Sequence, residues 1–324
     1  MNYLVDRFSR KITYIRFSVT SRCNFNCVYC VSHTDEGKKT EEFTKDDMAF
    51  LFRTVSELGI EKVRITGGEP LLRKDIIDIV QSASINKNIK EIVLTTNGSL
   101  LRQFAQPLKD VGLTRANISL DTLRREVFEE ITQRDFFENV MDGISASINA
   151  GLTPLKINTV LMKGINEEDI IPIAELSLKY PVIVRFIELM PVGKGGFWKD
   201  HYMSFVEALD IIKRKYELSV GKGAKGEIAD YYEIVGSKGK IGFITPVSQH
   251  FCATCNRIRI TARGKIYPCL FSKENIDIWD AVKLQDSEEL IKLIEKSVEI
   301  KPAAHGAIEK DDKQFIKNMK ELGG

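Results

Sequence analysis

From residue 15 to about residue 190, short runs of alternating apolar and polar residues are separated by longer runs whose apolar positions fall three and four apart. The first pattern has the period of a half-buried strand, the second that of an amphipathic helix. This predicts strands over 15–20, 62–66, 91–96, 115–121, 154–161 and 182–190, with helices over 45–58, 75–85, 100–111, 136–150 and 167–178. Thr44, ahead of Lys45-Asp46-Asp47, is a predicted N-cap, and Gly59 a predicted C-cap. Strands alternating with helices predict parallel pairing through right-handed crossovers. Six such units predict an α/β fold, a barrel or an incomplete barrel.

The polar positions of the strands carry a sharper signal. Arg16, Ser18 and Thr20 alternate with apolar residues, as do Arg64 and Thr66, and Asn117, Ser119 and Asp121; Lys156 with Asn158 extends the pattern and Arg185 with Glu188 approximates it. Period two puts each set on one face of a sheet. Helices cover the other face, so the polar face predicts an interior cavity for a polar, anionic ligand rather than the packed aliphatic interior of a full eight-stranded barrel. The plainer alternative is an open sheet solvated on that side, which requires every strand to be uncovered there. Gly67-Gly68-Glu69-Pro70 and Asn97-Gly98 follow the second and third strands, where backbone approaches ligands in barrel enzymes.

Past Met190 the repeat stops. Gly193-Lys194-Gly195-Gly196 predicts a flexible connection, followed by a helix over 204–216. The glycine- and lysine-rich stretch 221–226 lacks P-loop spacing. A β-rich region over 230–270, with Arg263-Gly264 as a hairpin turn, precedes predicted helices over 276–283 and 287–297.

Composition narrows the class. The chain has 324 residues, a net charge of +2, 43% hydrophobic and 28% charged residues, values of a soluble globular protein that give no support to a nucleic-acid or membrane-surface partner. No apolar run has the length of a membrane span, and the start lacks the apolar core of a secretion signal, so a cytoplasmic location is expected. The six cysteines fall into two trios, Cys23, Cys27, Cys30 and Cys252, Cys255, Cys269. In a reducing compartment such clustering points to metal ligands more than to disulfides or core filling. Iron–sulfur clusters are normally held by four thiolates, so a compact trio implies a distant fourth ligand or a cluster with one iron open to a small molecule.

The second trio, with spacing Cys-x2-Cys-x13-Cys, leaves two readings open. His250 completes a zinc site in one; in the other the trio holds a second cluster with an open iron. Arg257 and Arg259 follow Cys255 on one strand face, and arginine forks match phosphate oxygens. A metal beside two such arginines describes a nucleotide site.

Together these motifs are specific. Cys-x3-Cys-x2-Cys with Tyr29 before the last cysteine resembles the radical S-adenosylmethionine superfamily, and Gly67-Gly68-Glu69-Pro70 resembles its methionine-amine motif. With Phe251-Cys-x2-Cys-Asn-Arg-x-Arg and the terminal Gly323-Gly324, the chain resembles the GTP 3′,8-cyclases of molybdenum cofactor biosynthesis along nearly its whole length. The resemblance implies a partial (β/α)6 TIM-type barrel over 1–192, closed by a small C-terminal α+β domain over 193–324, with a 4Fe-4S cluster in each. Cys23, Cys27 and Cys30 would hold the cluster that chelates S-adenosylmethionine, lined by Tyr29, Gly68, Ser119 and Met190. Cys252, Cys255 and Cys269 would hold the second, which binds guanine, with Arg16, Arg64, Thr95, Lys156, Arg257, Ile258 and Arg259 around GTP. Arg16, Arg257, Arg259, Gly323 and Gly324 would serve catalysis. The implied reaction abstracts the ribose C3′ hydrogen with a 5′-deoxyadenosyl radical and joins C3′ to C8, giving 3′,8-cyclo-7,8-dihydro-GTP. Implied partners are an electron donor, the cyclic pyranopterin monophosphate synthase that receives the product, and a second copy in a homodimer or monomer–dimer equilibrium. Val31-Ser32-His33 stands where the family has Met-Pro, and Ser9-Arg10 where it has Gly-Arg. Another radical enzyme with an auxiliary cluster, such as a peptide maturase, and a zinc-stabilised nucleic-acid-binding protein are the competing readings; the arginine pair and terminal glycines oppose the first, near-neutral charge and two incomplete zinc sets the second.

Overall fold

A computed structural model describes residues 3–30, 41–191, 196–221, 229–249, 251–304 and 319–322. The six predicted strands are present as β1 (Tyr14–Ser18), β2 (Lys62–Thr66), β3 (Glu91–Thr96), β4 (Arg115–Ser119), β5 (Leu155–Leu161) and β6 (Val182–Glu188). Each is followed by helix: α1 (Lys45–Glu57), α2 (Ile76–Ser84), α3 (Leu101–Asp110), α4 (Arg125–Thr132), α5 (Phe137–Asn149), α6 (Ile170–Ala174), α7 (Leu176–Lys179), α8 (Phe197–His201) and α9 (Phe205–Lys213). The remainder adds β7 (Leu218–Gly221), β8 (Asp230–Ile234), β9 (Lys240–Ile244), β10 (Arg257–Ile260), β11 (Lys265–Tyr267), β12 (Ile276–Asp277), α10 (Trp279–Lys283), α11 (Ser287–Glu299) and α12 (Met319–Leu322). Among the described residues no helix is long and apolar enough to cross a membrane.

The described strands make one sheet in the order β12-β11-β10-β1-β2-β3-β4-β5-β6-β9-β8-β7. From β10 to β9 every neighbouring pair is parallel, and the outer strands on both sides are antiparallel. The chain after β6 thus extends the sheet at both edges, β9 beside β6 and β10 beside β1. The helix-facing positions are the apolar ones: Ile15, Phe17, Val63, Ile65, Leu94, Ile118, Ile157, Val184 and Phe186 are buried in one continuous core. Their burial drives the sheet and helices together, at roughly 25 cal/mol per Å² of apolar surface removed from water.

Local sequence explains the element ends. Thr44 caps α1 by accepting the Asp47 N–H, while the Asp47 carboxylate accepts the Thr44 N–H at 2.8 Å, a reciprocal capping box. Gly59, just past α1, has φ +80°, a left-handed value suited to glycine. Two predicted helices differ. Residues 276–277 form β12, because Ile276 pairs with Ile266 across an antiparallel ladder, and helix begins only at Trp279. The run 167–178 is broken into a 3-10 turn, α6 and α7. Helix α4, in the loop after β4, was not predicted; it buries only Phe128, Ile131 and Thr132, too short a pattern to stand out. The predicted connection at 193–195 and most of the stretch 221–226 lie outside the described residues.

Candidate active site

The polar faces of the strands enclose a cavity of about 290 Å³. Its lining includes Arg16, Arg64, Thr66, Thr95, Ser119, Asp121, Asn158, Arg185 and Glu188 from the parallel strands and their ends, and Arg257 and Arg259 from β10. Cys23, Cys27, Cys30, Gly67, Gly68, Tyr29 and Met190 line it too. The first trio follows the carboxyl end of β1. Arg257 pairs with Tyr14 at that strand's amino end, so the thiols and this arginine are separated along the strand direction.

The thiol loop is built by hydrogen bonds and aromatic packing. Asn24 donates to Ser99 at 2.9 Å and accepts from Asn97 at 2.8 Å; the Asn97 N–H donates to Glu69 at 2.7 Å. Glu69 also accepts from the Leu71 N–H and Thr96 hydroxyl, and its burial pushes its carboxyl up to about 7. Phe25 lies between Phe128 and Phe136, ring centroids 5.8 Å from each. Gly67 and Gly68 run against this loop: Gly68 N–H donates to the Thr20 carbonyl at 2.8 Å, and a β-carbon at Gly68 would press on the Arg22 carbonyl. Tyr29 donates to Asp121 at 2.7 Å; burial raises Asp121 to about 6 against the pull of that bond and of the Val160 N–H. No disulfide joins the thiols. Three sulfur donors on one loop, opening into a cavity beside side-chain-free backbone, fit an iron–sulfur centre that needs room for a small molecule. Among the described residues no three His, Cys, Asp or Glu side chains converge as ligands of one ion.

At the other end positive charge accumulates. Arg64, Arg185 and Arg259 are each over nine-tenths buried. Burial first, then neighbouring guanidinium groups, pull Arg64 and Arg259 well below the ordinary arginine value. Arg185 is held by two hydrogen bonds to Asn158, and Arg259 donates to the Leu322 carbonyl at 3.1 Å. Like charges buried together are stabilised by an anion among them.

The second trio is braced from behind. The buried Lys301 ammonium donates to the carbonyls of Arg257 and Pro268, both at 2.7 Å, and lies against the Cys255 thiol. Burial alone would raise that thiol, but Lys301 and Arg257 hold it below its ordinary value. Arg10, fixed by Asp6 at 2.6 Å, donates to the carbonyls of Cys252, Pro302 and Ala303. Ser9, where the related pattern has glycine, is left-handed at φ 62°.

Most of the expected site residues therefore share one cavity. Cys252, Cys255 and Cys269 are half-buried at its edge, where their neighbours Phe251 and Leu270 reach the lining. Lys156 is fully buried on β5, its ammonium 5.9 Å from the Tyr231 ring, and is not among the lining residues. Ile258 points away from Arg257 and Arg259 into the core. Val31, Ser32, His33, His250, Gly323 and Gly324 lie outside the described residues, although Met319, four residues before Gly323, lines the cavity. Sequence reasoning passed over Tyr14, Lys301 and the Asp6–Arg10 pair; only Tyr14 had a signal, since it stands two residues before Arg16 on the lumen-facing period.

Known proteins show what the chain is similar to. The radical SAM superfamily matches residues 17–177 and the Molybdenum Cofactor Synthesis C family matches residues 182–307. The chain is 38% identical to a GTP 3′,8-cyclase of Alkaliphilus metalliredigens over 98% of its own length and 99% of the relative's. It is 40% identical to one of Clostridium botulinum over 99% and 100%. In fold it resembles Streptococcus suis SuiB bound to S-adenosylmethionine, with TM-score 0.61, 13% identity and coverage of 97% and 78%. It also resembles anSMEcpe with bound AdoMet, with TM-score 0.56, 16% identity and coverage of 89% and 84%.

Proposed function

The chain belongs to the GTP 3′,8-cyclase family, and from that premise we propose that its cavity converts GTP, with S-adenosylmethionine and a reductant, into 3′,8-cyclo-7,8-dihydro-GTP. It is a radical S-adenosylmethionine enzyme of the first step of molybdenum cofactor biosynthesis. The observation that carries the substrate reading is a single cavity lined by three thiols and by arginines from β1, β2, β6 and β10.

Cys23, Cys27 and Cys30 would hold one 4Fe-4S cluster, and Cys252, Cys255 and Cys269 a second. The first cluster, when bound, supplies the electron that cleaves S-adenosylmethionine to methionine and a 5′-deoxyadenosyl radical. The rest is work of the chain. Gly67 and Gly68 offer backbone without side-chain bulk beside the first trio, and Tyr29, Ser119 and Met190 complete that end. Arg16, Arg64, Thr95, Arg257 and Arg259 take the nucleotide, the buried guanidinium groups exchanging mutual repulsion for contact with phosphate. Fixing a polyanion in this way is catalysis by positioning. Lys156, on the same face of β5 as Asn158, adds a buried cation on the lumen side, and Ile258 packs in the core behind this wall. Gly323 and Gly324 follow the Leu322 carbonyl that binds Arg259, which supports a role for them at the substrate.

In this reading the six βα units are a partial barrel, residues 193–324 carry the second cluster and the tail, and the protein works in the cytoplasm. It works with an electron donor, as a monomer or homodimer, and hands its product to the cyclic pyranopterin monophosphate synthase. Anaerobically reconstituted protein is expected to bind about eight irons and to release 5′-deoxyadenosine in step with GTP consumption. Iron confined to one trio, or cofactor cleavage not coupled to GTP, would refute the assignment.

A further inference from the structure

Tyr14 lies two residues before Arg16 on β1, so its side chain shares the lumen face. The sheet register sets it between Lys62 of β2 and Arg257 of β10. The Lys62 ammonium is 5.1 Å from the ring centroid, and the guanidinium carbons of Arg257 and Arg64 are 5.1 and 5.5 Å from it. The residue is 3% exposed and lies just outside the cavity's lining, against Arg64 and Arg257, which do line it; its hydroxyl has no hydrogen-bond partner among the described residues. A buried hydroxyl without a partner destabilises the fold. The ring attracts each cation, but the cations repel one another unless something negative completes the group. No described carboxylate does so for Arg16 or Arg64; Glu91, on β3, pairs with Lys62 at 2.7 Å and Arg115 at 2.5 Å on the far side.

We propose that Tyr14 is a positioning residue for the substrate's polyphosphate: its ring gathers Lys62, Arg64 and Arg257, and its hydroxyl is the resident counter-group of this cation cluster. When the nucleotide binds, the hydroxyl donates to a phosphate oxygen. The inference rests on the reading of GTP as substrate and adds a proton to its binding. The charged groups around the phenol are Arg16 on its own strand, Lys62 and Arg64 on β2, and Arg257 and Arg259 on β10. Helix α12, which packs on β1, contributes apolar Met319 and Leu322 among its described side chains. Burial alone would raise the phenol, but Arg64, Arg16, Arg257 and Lys62 outweigh it and bring it down to about 7. Above that pH the empty site holds a phenolate. A triphosphate then supplies the negative charge, the phenolate takes one proton from solvent, and the neutral O–H becomes the donor.

Calorimetric titration of GTP into the anaerobic holoprotein without reductant, in buffers of different ionisation enthalpy, tests this. At about pH 8 the natural protein takes up close to one proton per GTP, whereas Tyr14→Phe takes up none; at about pH 6 the two differ little. Between those values its GTP affinity falls about tenfold relative to Tyr14→Phe. Tyr14→Leu, lacking the ring as well, binds GTP more weakly at both pH values. No net proton uptake by the natural protein at about pH 8 overturns the inference whether or not the variants fold, as does equal uptake by Tyr14→Phe. Absence of GTP binding by the natural protein would instead refute the substrate reading.

Discussion

Gly68 and Lys301 show how single residues decide what each end of the cavity can hold. At Gly68 a methyl group would meet the Arg22 carbonyl, and that carbonyl is fixed by the Glu69 N–H at 2.7 Å. Gly68→Ala is therefore expected to push the thiol loop aside and to reduce S-adenosylmethionine cleavage by at least about tenfold, the effect of about 1.4 kcal/mol; a steady-state assay of 5′-deoxyadenosine checks it. Lys301 is 2% exposed and spends its donors on two carbonyls and a thiol. Lys301→Met leaves both carbonyls buried without a donor, a loss of about 1–3 kcal/mol, to be read as a lower urea midpoint and, for the cluster proposed at the second trio, as fewer irons bound. Legibility in the sequence divides along the same line. Arg16 and Arg64 were visible because period two alone sets a lumen face. Lys156 obeyed the same period and shares the face of Asn158, yet it does not line the cavity; its ammonium is 5.9 Å from the Tyr231 ring, on a strand far along the chain. Lys301 was invisible: its acceptors stand 44 and 33 residues away, a separation no local pattern encodes.

Helix α1 links a cap to a distant element. Its N-terminal box joins Thr44 and Asp47, and Lys283 of α10 donates to the same Asp47 carboxylate at 2.7 Å. Thr44→Ala is expected to cost about 1 kcal/mol, measured by urea unfolding. Asp47 bears a pH signature. Burial would raise its carboxyl, but Lys283 and the Thr44 N–H and hydroxyl outweigh that and hold it below its ordinary value of 3.8. A depressed folded value gives stability that is complete above the unfolded value and is lost as pH falls through the folded one. Unfolding curves should therefore separate the natural protein from Asp47→Asn near neutral pH and bring them together as pH falls through the folded value, below 3.8. Long elements with a cap and a full stripe were readable from the chain. The stretch after residue 275 was not, since Ile276 becomes strand only because Ile266 offers an open edge.

At the scale of the molecule, the polypeptide after β6 takes part in the sheet twice. β9 covers the edge of β6, pairing Ile183 to Ile187 with Lys240 to Ile244, and β10 covers β1, pairing Tyr14 to Phe17 with Arg257 to Ile260. One segment thus pairs with both edges of the β1–β6 run, and the two family matches, which meet near residue 180, divide a single sheet. Sequence reasoning saw the repeat stop and expected a boundary, because the change of period is local while the pairing of β10 with β1 spans the chain. A fragment of residues 1–192 tests what that boundary means. It leaves β1 and β6 with unpaired backbone along apolar strands, the geometry that templates association. It also removes the hydrogen bonds that Phe205, Val247 and Ser248 make to the buried Glu188. The fragment is expected to aggregate or to melt without cooperativity in size-exclusion and calorimetric experiments, and adding residues 193–324 as a separate chain should restore a compact species. A fragment that melts cooperatively as a monomer would show instead that the first six units fold alone, without the segment that carries the second thiol trio.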